Sequence, residues 1–119
     1  MRDFEAEKEM VAISKEIWPH LKAKVKFPAI ESKQGGSSGV YWHFPTHKIY
    51  FRWNVWNKMT LAGKRLLAIH ELWHATGNGH SGIYMFCHGI DMLSIELYKK
   101  IYGEDETYKE TIKMVRSIL

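Results

Sequence analysis

Apolar residues at Met10, Ile13, Ile17 and Leu21 recur at helical spacing, which predicts a helix over residues 4–21 with Pro19 near its end. Residues 25–30 alternate between apolar and polar, and Pro28 restricts that strand to a sheet edge. The Gly- and Ser-rich run 34–39 reads as a flexible loop. Two strand-like runs follow, 40–44 and 48–56, separated by the turn Pro45-Thr46-His47 and read together as a β-hairpin. The second run sets Ile49, Phe51, Trp53 and Val55 on one face, and Tyr50, Arg52, Asn54 and Trp56 on the other. Thr60 is a candidate N-cap for a helix through Leu61, Leu66, Leu67, Ile69 and Trp73, stopped by Gly77 and Gly79. A further helix is expected from 81 to about 102, ending at Gly103. A last one is expected over 105–119, where Tyr108, Ile112, Val115 and Leu119 keep helical spacing. The expected class is α+β: an N-terminal helix, a small three-stranded sheet with a hairpin, and three more helices.

A chain of 119 residues suits one domain, 1–119. With 45% hydrophobic residues, and with five Trp, six Tyr and five Phe, a few large side chains dominate the expected core. No apolar run is long enough for a membrane span, and the charged start, residues 1–9, lacks the regions of a secretory signal. The expected compartment is therefore the cytoplasm, with no membrane partner. The only cysteine, Cys87, excludes an intrachain disulfide and a zinc site built from several Cys. Cys87 itself reads as a small buried apolar residue. The net charge of +4 comes from basic residues spread along the chain, without a dense block. Nucleic acid is accordingly not the expected partner.

One segment carries chemistry: His70-Glu71-Leu72-Trp73-His74-Ala75-Thr76-Gly77-Asn78-Gly79-His80. On a helix, His70 and His74 lie one turn apart on the same face, so their rings can meet one ion at about 2 Å. Glu71 can reach a water on that ion without ligating it. Gly77 ends the helix and lets the chain bring His80 back as a third ligand. Three protein ligands leave a fourth position open, the arrangement of a catalytic zinc site. In a chain this rich in His and Glu, the first five residues of the motif arise by chance at roughly the few-per-cent level. The third His, with Gly77 at the turn, lowers that about a hundredfold.

The string has the long H-E-x-x-H-x-x-G-x-x-H form and resembles the zincin metallopeptidases. Metzincins share it, but they are longer and carry a Met-containing turn downstream, whereas Met85 and Met92 fall in the helix expected here. The closer likeness is to minimal zincins: the SprT-like and WLM-type peptidases and the small minigluzincins. Many of these place the third ligand in a run like His80-Ser81-Gly82-Ile83-Tyr84. The resemblance implies a small zincin-like domain with one Zn2+ per chain, hydrolysis of peptide bonds with Glu71 as general base, and a peptide or unfolded protein as substrate. Minigluzincins also imply a latent form, in which a C-terminal segment covers the site. No Cys-rich zinc ribbon follows the motif here, so a DNA-linked role is not implied.

Alternatives remain open at several positions. His88 competes with His80 as third ligand, because gluzincins take that ligand from a helix at this place in the chain, and Glu96 follows as a weaker candidate. His88 could otherwise line the cleft and stabilise an oxyanion. Asp91 is a candidate acceptor for a ligand imidazole. Tyr84 and Tyr98 are candidate donors to the tetrahedral intermediate, although aromatics at this spacing usually pack in the core. The YbeY-type endoribonucleases use the same His spacing, but they generally carry Gly where this chain has Glu71, which favours the peptidase. Association into an oligomer is compatible with all of these readings.

Overall fold

The structure, a computed structural model, describes residues 1–35, 40–43, 46–77, 85–87 and 90–118, with backbone alone at 40–43, 85–87, 90–92 and 114–118. Helix α1 spans Phe4–Leu21, as its apolar spacing predicts. Asp3 caps it, its side chain accepting from the Ala6 N–H at 3.0 Å. Lys22, left-handed at φ 51°, follows its last turn. Its inner face, Ala6, Met10, Ile13 and Ile17, is buried.

Three strands form one sheet in the order β1 (Ala29–Lys33), β3 (Lys48–Arg52), β2 (Val40–His43). β2 and β3 are antiparallel, the expected hairpin, while β1 runs parallel to β3 with Ile30 opposite Ile49 and Ser32 opposite Phe51. β1 begins later than the alternation over 25–30 suggests. Pro28 has no N–H to give a ladder, so pairing starts at Ala29, which donates to the His47 carbonyl at 3.3 Å. Glu7 ties α1 to this strand. Its buried carboxylate accepts from the Ser32 hydroxyl at 2.6 Å, the Ser32 N–H at 3.2 Å and the Arg2 guanidinium at 2.6 Å.

The expected strand 48–56 is shorter than its alternation. After Arg52 the chain makes one helical turn, α2 (Trp53–Trp56). The reason is Trp56, which continued alternation would place on the outward face beside Tyr50 and Arg52. The turn rolls it inward to 1% exposure. There it meets the Phe51 ring edge-on at 5.3 Å and donates its indole N–H to Glu9 at 2.7 Å.

Helix α3 (Leu61–Ala75) is the central element. Thr60 caps it by accepting from the Gly63 N–H at 3.2 Å, and Gly77 follows it at φ +96°, both as the sequence implies. Most of its residues are buried, because α1, the sheet, α4 and α5 all pack around it. The stretch after it differs from expectation. Residues 85–87 and 90–91 are paired antiparallel strands, β4 (Met85–Cys87) and β5 (Ile90–Asp91), and helix α4 begins only at Met92, running to Tyr102. A short apolar run fits period 2 and period 3.6 about equally, and here the strand pairing prevails. Met85 is therefore a strand residue. Gly103, at φ +77°, closes α4, its N–H bonding to the Lys99 carbonyl at 2.8 Å.

The last helix, α5 (Glu106–Ile118), is capped by Asp105, which accepts from the Tyr108 N–H at 2.7 Å. Tyr108 and Ile112 pack against the core, and Tyr108 stacks on Tyr98 at 6.0 Å. The architecture is a small α+β fold, as expected. Among the described residues no helix is long and apolar enough to cross a membrane.

Candidate metal centre

His70, Glu71 and His74 sit on the last turns of α3. Spacing of four residues puts both imidazoles on one face, and that is how they stand. The two Nε2 atoms are 3.1 Å apart, and the rings meet edge-to-face with centroids 4.7 Å apart at 86°. With metal–nitrogen bonds of about 2.0–2.1 Å, two corners of a tetrahedral site lie about 3.3–3.4 Å apart. The pair is thus close to the separation that one zinc ion requires. His70 is 4% exposed and His74 half-buried, so the pair opens from the core toward one side.

Glu71 is more unusual. Its residue is 5% exposed, and its Oε2 is buried with no hydrogen-bond partner among the described residues. Burial pushes the carboxyl up to about 7, and the neighbouring His70 opposes that shift only in part. Leaving a buried polar atom unsatisfied costs about 1–3 kcal/mol, and none of the described residues offsets that cost at Oε2 with a hydrogen bond. Two converging imidazole nitrogens beside a buried carboxylate whose Oε2 has no hydrogen-bond partner among the described residues fit the donor set of a zinc site with an adjacent base.

Other candidate residues fall differently. His80, Tyr84 and His88 lie outside the described residues. The strand pairing of 85–87 with 90–91 removes the helix on which His88 was expected to follow Tyr84 by one turn. Asp91 ends β5, and β5 packs beside α3, the helix carrying the His pair. Glu96 is exposed on α4. Among the described residues no cluster of three or more His, Cys, Asp and Glu side chains is present. Trp73 is half-buried, His20 is exposed, and the His47 ring bonds to the Lys26 carbonyl at 2.7 Å.

Tyr98 proves to be an internal anchor. It is 1% exposed, and its hydroxyl donates to Asp105 at 3.0 Å and accepts from Arg65 at 3.2 Å. Arg65 also lies 3.9 Å above the Tyr102 ring, and Tyr102 donates to Glu16 at 3.0 Å. This network joins α1, α3, α4 and the start of α5. Sequence reasoning did not find it, because its members are scattered over about ninety residues and share no spacing. The same holds for Glu7 with Ser32 and Arg2.

No protein-family model matches the chain, and neither a curated protein nor a solved structure matches it.

Proposed function

We propose that this chain is a minimal zinc metallopeptidase, with His70, His74 and His80 holding the ion and Glu71 acting as general base. The observation that carries the reading is the pair of Nε2 atoms 3.1 Å apart beside the buried Glu71 Oε2, which has no hydrogen-bond partner among the described residues. Zinc, when bound there, supplies Lewis-acid polarisation of the scissile carbonyl and an acidified water. The chain's own groups do the rest. Glu71 Oε2 takes a proton from the attacking water and returns it to the leaving nitrogen. Burial of His70 and Glu71 keeps bulk water from competing for that proton. The sheet edge at β2, which packs beside α3, suits an extended peptide held by main-chain hydrogen bonds. Such binding tolerates many side chains, so unfolded protein is the substrate class. Asp91, on the strand beside α3, is the candidate acceptor for a ligand imidazole.

The test is cleavage of an unfolded, casein-like protein and of RNA by the zinc-loaded chain and by Glu71→Gln. Proteolysis by the wild type, lost in the variant while zinc stays bound, is the expected result. Undiminished proteolysis in Glu71→Gln removes Glu71 from the mechanism, and cleavage of RNA alone moves the chain to the ribonuclease reading.

A further inference from the structure

Charge is unevenly spread along the chain. Residues 17–30 hold three lysines, Lys22, Lys24 and Lys26, and no carboxylate. The carboxylates that flank this stretch are engaged elsewhere. Glu16 accepts from the Tyr102 hydroxyl at 3.0 Å, and Glu31 lies 3.6 Å from Lys48 and 3.8 Å from Arg2. Lys22, Lys24 and Lys26 are exposed and make no ion pair with a described residue. Lys15 is exposed on α1, likewise without an ion pair among the described residues. It lies two helical turns before Lys22, hence on the same side of the helix.

The connection from α1 to β1 presents these lysines as a tip. Lys22 leaves the helix in the left-handed region, at φ 51°, and the chain bends at Lys24 and Val25. Val25 sits at the bend between two lysines, 47% exposed. Both ends of the tip are tied down. Phe27 meets the Trp18 ring edge-on at 5.5 Å, and both pack against the core. The Lys26 carbonyl accepts from the His47 ring at 2.7 Å, and Pro28 is fully buried. The tip is therefore held in place before any contact, which lowers the entropic cost of binding.

We propose that this tip docks on an anionic lipid surface, with Lys15, Lys22, Lys24 and Lys26 among the headgroups and Val25 entering the interface between them. An exposed apolar side chain flanked by cations is what a charged interface selects, because binding there grows with buried apolar area and with attraction to anionic lipid together. A nucleic-acid strand fits less well. It uses rings to stack its bases, and the two rings at hand, Trp18 and Phe27, are packed on each other. A polyanion in water gains nothing from Val25. Docking of this kind needs no spanning helix, so it is compatible with there being none among the described residues. The expectation of no membrane partner rested on the lack of a spanning run, and contact with a lipid surface lies outside it. The inference is independent of the peptidase reading, because neither Glu71 nor any candidate metal ligand belongs to the tip.

Co-sedimentation of the full chain with sucrose-loaded vesicles tests it, comparing phosphatidylcholine alone with phosphatidylcholine containing about 30% phosphatidylserine, at about 0.1 M salt. Binding to the anionic vesicles alone is expected, and it should vanish at about 1 M salt, where the screening length falls to about 3 Å. Each lysine near the surface contributes roughly fivefold, so replacing Lys22, Lys24 and Lys26 together by Ala should weaken binding about a hundredfold. Replacing the exposed Lys58, Lys100 and Lys113 by Ala removes the same charge elsewhere and should leave binding within about threefold. Val25→Ser should weaken it about fivefold, a loss that a partner recognised by charge alone would not show. All of these side chains are exposed, and circular dichroism checks that the variants keep the fold. The proposal is overturned by any of four results: no binding to anionic vesicles, equal binding to neutral ones, equal loss in the two triple variants, or binding unmoved by Val25→Ser. The last result, with displacement by a single-stranded oligonucleotide, would mark a polyanion as the partner instead.

Discussion

Each ligand of a three-histidine site is indispensable, whereas neighbouring histidines are not. His70→Ala, His74→Ala and His80→Ala should each abolish stoichiometric zinc, measured by native mass spectrometry, while His88→Ala should retain it. Zinc retained by His80→Ala and lost by His88→Ala would reassign the third ligand. Glu7 makes a different prediction. Burial opposes its ionisation, but hydrogen bonds from Arg2 and Ser32 outweigh that and hold its pKa below the ordinary 4.5. A depressed carboxylate contributes stability above its unfolded pKa, and that stability is lost as pH falls through the folded value. Melting temperature should therefore drop below about pH 4.5 in the wild type. Glu7→Gln should be less stable at pH 7, by about 1.5–3 kcal/mol, with a flatter acid limb. An unchanged acid limb in the variant would assign the acid transition to other groups. His70, Glu71 and His74 were legible as a set because helical spacing and ligand chemistry coincide in them. Glu7 was not, since a Glu on the first turns of a helix reads as solvated until Ser32 and Arg2 are seen around it.

The elements were legible where periodicity and caps agreed. Helix α1 and helix α3 match their apolar stripes and their capping residues Asp3, Thr60 and Gly77. Where only a short alternating run was present, tertiary packing decided. Trp56 ended β3 early to reach the core, and residues 85–87 and 90–91 paired as strands rather than extending α4. The resemblance to minigluzincins implies that the C-terminal segment, here α5, covers the site. Tyr108 and Ile112 pack against the core, and Tyr108 and Thr111 face Leu66, Ile95 and Tyr98. Removing residues after Gly103 forfeits roughly 1.5–3 kcal/mol for each buried apolar side chain, together with the Asp105 bond to Tyr98. In a domain this small, that loss is comparable to the whole stability. The truncated chain should thus lose its cooperative thermal transition by circular dichroism. A folded, zinc-loaded truncation with raised peptidase activity would instead make α5 the latency segment.

At the scale of the molecule, one helix joins stability to chemistry. α3 is gripped on its flanks by α1, the sheet, α4 and α5, and this grip holds the His pair at its C-terminal end. The α+β class and the order of the main elements followed from patterning. The parallel pairing of β1 with β3 did not, because register between distant segments leaves no local trace. Zinc K-edge X-ray absorption on the purified, zinc-loaded protein reads the proposed three-histidine site directly. The expected spectrum has one zinc per chain with imidazole nitrogens and one light oxygen donor at about 2.0–2.1 Å, and multiple scattering from three histidines. Failure to bind zinc, a sulfur shell near 2.3 Å, or scattering from fewer than three imidazoles would contradict it.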